Sequence, residues 1–393
     1  MVHPRLDRRG GAENLIEGLA RTLAARGHDV SVAALRYSER AWPAGAWTGC
    51  RMHRIGARGD GLMPRALRAQ VRARRVARLA AGADAIVAHN FPAVLWLPHS
   101  ATARRAWYCH EPSYRLYGRA VFPTLATAAT AGPEAYPWAD DAFARALARL
   151  DARRPRAREV DRRLDARAVE RLDAVLANSA FTAAAVERVY GIAAAPCLPG
   201  VAVPALSAKA SEPPYVAWVT SPRPEKNAMG FLEALRLARA DEPSIAVHAV
   251  GLDAALRERV RALGLADAVT ARDPLDDTRY AELLSGARLV AVPNLDEPFG
   301  LVVLEAMAHA RAVLASRVGG PAESVVDGVT GVHVDPLDPA AIARALTALW
   351  RDPARCDALG RAGRERHLRE FTLERFAERF IQAIGQPSDR SRA

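Results

Sequence analysis

The chain has 393 residues, about half of them apolar and a quarter charged, which is the composition of a globular protein too long for one ordinary core. Two domains are therefore expected. No apolar run approaches the ~18 residues of a membrane span and no short apolar core of a secretory signal opens the chain, so the expected location is the cytosol. The formal charge of +11 rests almost wholly on arginine, the only lysines being Lys209 and Lys226. Such an excess favours anionic partners such as nucleotides or anionic lipid. No basic segment interleaved with aromatic residues argues for nucleic acid. Cys50, Cys109, Cys197 and Cys356 are far apart and match neither a C-x-x-C pair nor a zinc pattern, so free thiols are expected.

At the start, "MVHPRLDRRGG" leaves only Val2 and His3 before a polar loop, almost nothing of the central first strand that a doubly wound sheet needs. On this reading the true start lies upstream of Met1. Gly10 and Gly11 permit close backbone approach to a ligand, although a plain tight turn is the more frequent use of such a pair. Strand patterns follow in "HDVSVAAL", "DAIVAHN", "AWYC" and "DAVLANS", each ending at or just before a polar residue. Between them, "RALRAQVRARRVAR" reads as a helix with Arg65, Arg68, Arg72 and Arg75 on one face, suited either to anionic lipid or to solvent. Asn90, His110, Asn178 and Ser179 stand directly after strands. His110 is either a hydrogen-bonding or basic group near neutral pH or a packed core residue.

Residues 203–214 are rich in Pro, Ala and Ser without helical period and read as an interdomain linker after a first domain over 1–202. The second domain, 215–370, repeats the alternation with "YVAWVT", "SIAVHAV", "DAVTAR", "ARLVAVPN", "RAVLAS" and "GVHV". An amphipathic helix over 371–385 and a disordered polar tail over 386–393 complete the chain. Alternating strands and helices of this kind predict α/β architecture with parallel sheets, whose ligands bind beyond the carboxyl ends of the strands.

Two stretches carry the chemistry. In "DEPFGLVVLEAMA" a helix opening near Gly300 aims free N–H groups at an anion such as a diphosphate. Glu297 precedes it and Glu305 lies inside it, and a carboxylate among Leu, Val and Met is costly to bury without a partner. Each can accept hydrogen bonds from a vicinal diol, so a sugar and a ribose are natural partners; pairing with arginines is the structural alternative. In "RPEKN", Arg223 and Lys226 supply cations suited to phosphate oxygens, or a solvated charged turn. No Ser/His/Asp order, Walker loop or metal-ligand spacing stands out.

Taken together, "GGAEN", "DAIVAHNFP", "YCHEP", "LDAVLANSAFTAAAVERVYG", "LPGV", "RPEKN", "EPFGLVVLEAMA" and "VGGPAESVVDGVTGVHVDPLD" resemble the retaining glycosyltransferases of family 4, in order and over nearly the whole chain. The resemblance implies the GT-B fold: two Rossmann-like domains facing a central cleft, with the helix 371–385 returning to the first. It implies a nucleotide-diphosphate sugar held mainly by the second domain, a glycan or lipid-linked acceptor on the first, and no cofactor or divalent metal. By motif, Glu297 contacts donor-sugar hydroxyls and Glu305 the ribose. Arg223 and Lys226 neutralise the diphosphate, and backbone groups at Phe299, Gly300 and Leu301 support the sugar. Gly11 approaches the phosphates, while Gly10, Asn90 and His110 lie on the acceptor side, His110 nearest the reacting sugar. Thr220 and Ser221 depart from the family's usual Gly-Arg, and Ala310 stands where glycine is common. A sugar-nucleotide epimerase and a catalytically silent sugar-nucleotide-binding subunit are the alternative readings.

Overall fold

A computed structural model describes residues 1–56, 63, 65–99, 102–139, 142–151, 155–205 and 211–385. In its first half the elements are β1 (Val2–Leu6), α1 (Gly11–Ala25), β2 (Val30–Tyr37), β3 (Cys50–Arg54), α2 (Arg65–Leu79), β4 (Ala85–His89), β5 (Arg104–Cys109), α3 (Tyr114–Val121), α4 (Pro123–Ala131), α5 (Ala142–Asp151), α6 (Pro155–Glu170), β6 (Ala174–Ala177), α7 (Ala180–Tyr190) and β7 (Ala195–Pro196). The second half contributes β8 (Val216–Val219), α8 (Ala228–Asp241), β9 (Val247–Val250), α9 (Ala254–Ala262), β10 (Val269–Arg272), α10 (Asp277–Gly286), β11 (Leu289–Val292), α11 (Leu301–Ala308), β12 (Ala312–Ser316), α12 (Pro321–Ser324), β13 (Val332–Val334), α13 (Pro339–Arg351), α14 (Pro353–Glu370) and α15 (Leu373–Gly385). No helix among the described residues is long and apolar enough to cross a membrane.

The chain forms two compact units. Unit 1 comprises Met1–Val121, Arg153–Gly200 and Leu373–Ala393; unit 2 comprises Phe122–Ala152 and Val201–Thr372. Each is built on one sheet, in the order β3-β2-β1-β4-β5-β6-β7 in unit 1 and β10-β9-β8-β11-β12-β13 in unit 2. Every registered pair is parallel. The strands of unit 2 are short continuous apolar runs because helices cover both faces, and β11 and β12 are buried at every residue. Trp218, Phe231, Leu235, Leu289, Leu314 and Leu346 pack into that unit's core. In unit 1, Val2, Ile86, Trp96, Trp107, Val169 and Val186 do the same.

The first strand, which the sequence pattern left almost without residues, is formed by Val2–Leu6 between β2 and β4. Only Val2 and Leu6 are apolar and buried, and the buried His3 takes the place of a third hydrophobe. The strand is poor on one side: it registers with β2 along its length but with β4 only at Val2↔Ala88. Pro4 has no N–H to give, and the Arg5 N–H turns back to His3 Nδ1 (3.2 Å), so two rungs of the ladder are unavailable.

The domain limits need one revision. Residues 122–152, placed by the sequence pattern inside a first domain over 1–202, pack with unit 2. The helix at the C-terminus belongs to unit 1, where α15 lies on α1 and Leu373 seats against Gly18. Of the expected linker 203–214, residues 206–210 lie outside the described residues, as does the whole tail 386–393.

Candidate active site

In unit 2, two loops meet beyond the carboxyl ends of β8 and β11. The first carries Arg223 and a single 3-10 turn, Pro224–Lys226, and ends at Asn227, whose φ of 52° lies in the left-handed region. Asn227 is buried and its amide donates to Pro293 O (2.9 Å) and Pro336 O (2.7 Å), which fixes the turn against its neighbours. The second loop runs from Asn294 to Gly300. Leu295 N–H donates to Glu225 O (2.8 Å), so the two loops share a backbone hydrogen bond.

Across that junction Lys226 Nζ donates to Glu297 Oε2 at 2.5 Å, and Asn294 Nδ2 donates to the same oxygen at 2.6 Å. Both members of the ion pair are largely enclosed, Glu297 being 13% and Lys226 24% exposed. Burial pushes the Glu297 carboxyl up, but the Lys226 ammonium and the Asn294 amide outweigh it and hold the group below the usual carboxylate range. The other cation is paired in the same way: the exposed Arg223 guanidinium meets the buried Glu225 carboxylate, which burial pushes up. Each cation therefore already has a carboxylate, and the two loops form a charge-compensated surface.

The Glu297 turn leads into α11 through Gly300, whose φ of +87° admits few side chains. The glycine pair after β12 presses on this turn from behind. A Cβ on Gly319 would stand 2.5 Å from Glu297 O, and one on Gly320 would stand 2.2 Å from Phe299 Cα. Gly320 N–H donates to Glu297 O (2.9 Å). These close approaches are the physical reason for glycine in "VGGP". Phe299 is buried and meets Phe371 edge-on at 6.5 Å, and Leu301 opens the helix. Farther along α11, Glu305 Oε2 accepts from the Tyr280 hydroxyl at 2.6 Å; burial raises the carboxyl, and the hydrogen bond opposes that.

Unit 1 gathers different groups at the ends of β1, β4 and β5. His89 Nδ1 and His110 Nε2 are 3.3 Å apart, and His3 Nε2 lies 3.2 Å from the Asn90 side-chain amide. Asn90 itself has φ 60°. Burial lowers all three imidazoles, His3 to about 4, His110 to about 3 and His89 well below its usual value; neighbouring rings add to the effect at His89 and His110, while the Arg5 backbone hydrogen bond opposes it at His3. At neutral pH the cluster is uncharged, so His110 serves as a neutral hydrogen-bonding group. Asn178 Nδ2 donates to His110 O (3.0 Å), and Ser179 caps α7 by accepting from Thr182 N–H (2.9 Å). Gly10 caps α1 in an extended conformation with Glu13 folded over it, since a Cβ there would stand 2.7 Å from the Glu13 carboxylate. Gly11 is the exposed first residue of that helix.

Of the residues singled out from the sequence, Arg223, Lys226, Glu297, Phe299 and Gly300 lie on the two adjoining loops, Leu301 opens α11, and Asn90 and His110 directly follow neighbouring strands. Sequence reasoning missed His3, His89, Asn227, Tyr280, Asn294 and Asp296. The available signal was polarity where apolar residues are expected: His89 ends a buried strand, and Asn294 and Asp296 flank a leucine in "PNLDEP". The arginine face expected on α2 is partly turned inward. The Arg72 guanidinium stacks on Trp96 (5.0 Å) and Arg75 donates to Ile55 O (2.8 Å).

Comparison with known proteins bears directly on these loops. A family model described as group 1 glycosyl transferases matches residues 204–366, and one described as glycosyltransferase family 4 matches residues 9–198. The chain belongs to the family 4 glycosyltransferases. Among relatives of this glycosyltransferase, the alpha-maltose-1-phosphate synthase of Mycobacterium tuberculosis is 44% identical over 116 residues, 28% of this chain and 30% of the relative. The match thus spans less than a third of that relative's length. Its fold is that of sucrose-phosphate synthase from Thermosynechococcus elongatus (TM-score 0.71, 22% identity, 97% of each chain). It is also that of Anabaena Alr3699/HepE, solved in complex with UDP-glucose (TM-score 0.70, 17% identity, 98% of each chain). Two parallel-sheet Rossmann-like units with helices constitute this GT-B fold.

Proposed function

We propose that this glycosyltransferase moves a hexose, with retention of anomeric configuration, from a nucleotide-diphosphate sugar to a glycan or lipid-linked acceptor in the building of cell-surface polysaccharide or lipopolysaccharide. The Lys226–Glu297 ion pair beside the opening of α11 carries this reading. An ammonium and a helix N-terminus favour a diphosphate, and the adjacent carboxylate accepts sugar hydroxyls. In the step proposed, the bond from the anomeric carbon to the diphosphate oxygen breaks with its electron pair on the diphosphate. The acceptor oxygen bonds the same face of that carbon, and its proton passes to the departing phosphate. Lys226 and Arg223 balance the charge that develops on the leaving group, so no divalent metal is called for. Glu305, held by Tyr280 through one oxygen, keeps the other for a ribose hydroxyl. The solution of one structural neighbour, Anabaena Alr3699/HepE, in complex with UDP-glucose supports a nucleotide-sugar donor.

Screening UDP, GDP and ADP sugars by thermal shift identifies the donor, and its slow hydrolysis without acceptor distinguishes an enzyme from a silent binding subunit. Lys226→Ala is expected to weaken nucleoside-diphosphate binding by ~1.5–3 kcal/mol with little change in melting temperature. Calorimetric titration with wild-type affinity would remove Lys226 from the site. We further propose a cytoplasmic enzyme resting on anionic membrane through α2, whose exposed residues include Leu67, Arg74, Arg78 and Leu79. Sedimentation with anionic but not zwitterionic vesicles, weakened by salt, is the expected result; equal or absent binding ends that part of the reading.

A further inference from the structure

Asp296, the neighbour of Glu297, is fully buried. Its Oδ2 accepts from Leu125 N–H (2.8 Å) and its Oδ1 from Thr124 N–H (3.2 Å), the first free donors of α4. A helix N-terminus presents such unpaired N–H groups together with a partial positive charge, and a side chain one residue before the helix normally satisfies them. Here that residue is Phe122, which offers no acceptor, and Pro123 follows it. The cap comes from a residue 171 positions away in sequence instead. Two amide donors and the helix end compensate a carboxylate that would otherwise be expensive to bury.

The capped segment reaches both loops of the site. It buries Phe122, Leu125, Ala128, Ala139, Phe143 and Ala146. Within unit 2, α5 packs on the turn Pro224–Lys226, and the short turn Pro137–Ala139 packs on α8. Trp138 and Phe143 lock the two parts of the segment edge to face at 5.3 Å. Thus Phe122–Ala152 braces the Lys226 turn through α5 and the Glu297 loop through Asp296.

We propose that Asp296 is a positioning residue for sugar transfer: by capping α4 it ties the Asn294–Gly300 loop to Phe122–Ala152 and so holds the Glu297 carboxylate against Lys226. The inference rests on the reading that Glu297 contacts the donor sugar. Loss of the cap frees the loop that aims Glu297 but leaves Lys226 in its own turn, so turnover suffers more than nucleotide binding. Asn at this position retains one acceptor oxygen but turns an NH2 group toward a second N–H, and gives an intermediate effect.

The test compares wild type, Asp296→Ala, Asp296→Asn and Glu297→Gln. The measurements are hydrogen exchange over 123–131, kcat and KM for hydrolysis of the donor found by thermal shift, and affinity for its nucleoside diphosphate. Expected for the alanine variant are exchange at Thr124 and Leu125 at least tenfold faster, kcat at least tenfold lower, and nucleoside-diphosphate affinity within threefold of wild type. Faster exchange with unchanged kcat, while Glu297→Gln is slow, overturns the positioning role and leaves the donor reading intact. Wild-type kcat in both Glu297→Gln and Asp296→Ala overturns the donor reading and the inference together. Should the alanine variant fail to fold, the asparagine variant decides: faster exchange with lower kcat at near wild-type affinity supports the role, and faster exchange with wild-type kcat overturns it.

Discussion

The strand ends of unit 1 collect neutral imidazoles and amides that burial has stripped of charge, whereas those of unit 2 collect ammonium, guanidinium and carboxylate groups that neutralise one another. Both solutions avoid an isolated buried charge, by opposite routes. A neutral cluster is stable only while its rings remain unprotonated, so it is sensitive to acid. An ion pair keeps both charges, but removal of either partner leaves the other uncompensated.

Acid should separate the two regions most strongly. His3 is lowered to about 4. Its contribution to stability is fully present above the unfolded value near 6.5 and is lost as pH falls toward the folded value. At pH 4 the loss from His3 is ~3 kcal/mol, with His89 and His110 adding in the same direction. Asp165 opposes this trend, since burial raises it to about 6 and its neutral form favours the fold as pH drops, returning ~2 kcal/mol. Unit 2 carries His367 and His309 with the same sign as the unit 1 histidines. Hydrogen-exchange protection in β1, β4 and β5 should therefore fail before that in β8, β11 and β12 between pH 6.5 and 4.5, and His3→Asn should flatten the dependence. Simultaneous loss in both sheets would remove the distinction.

Next in size is the ion pair itself. Glu297→Gln keeps the shape of the side chain but leaves the Lys226 ammonium without its carboxylate. Turnover is expected to fall roughly 10²-fold or more if the contact strengthens in the transition state. Steady-state donor hydrolysis measures it, and a wild-type rate would reduce the pair to a structural bridge. The smallest effect concerns the turn after α11, where Ala310 adopts φ 56°. Gly360 packs against its carbonyl, so the backbone cannot relax. Ala310→Gly relieves the left-handed strain and should stabilise unit 2 by ~0.5–1 kcal/mol, read as a higher denaturant midpoint without change in turnover.

Much of the fold was legible in the sequence because the strands of parallel sheets are short apolar runs bounded by turn residues, as "ARLVAVPN" and "RAVLAS" are. The motifs of unit 2 were legible for a related reason. "RPEKN", "EPFG" and "VGGP" consist of residues with narrow conformational or charge roles, and each lies next to the strand that delivers it. β1 was not legible, because a strand with Pro4 in its middle and only two buried apolar side chains owes its place to β2 and to the burial of His3. β3 gave no signal either, since none of its residues is fully buried and it sits at the sheet edge.

By itself, then, the sequence determined the alternation of strands and helices, the division into two sheets, and which charged and conformationally special residues stand next to the strand ends of unit 2. These follow from local period, conformational preference and charge, which a short window of chain contains. Tertiary structure decided that Lys226 closes on Glu297, that the histidines of three separate strand ends share one dry cluster, and that Phe122–Ala152 packs with unit 2 under the cap of Asp296. Those outcomes depend on desolvation and on hydrogen bonds between residues many positions apart, and both come into being only when the sheets bring the loops together.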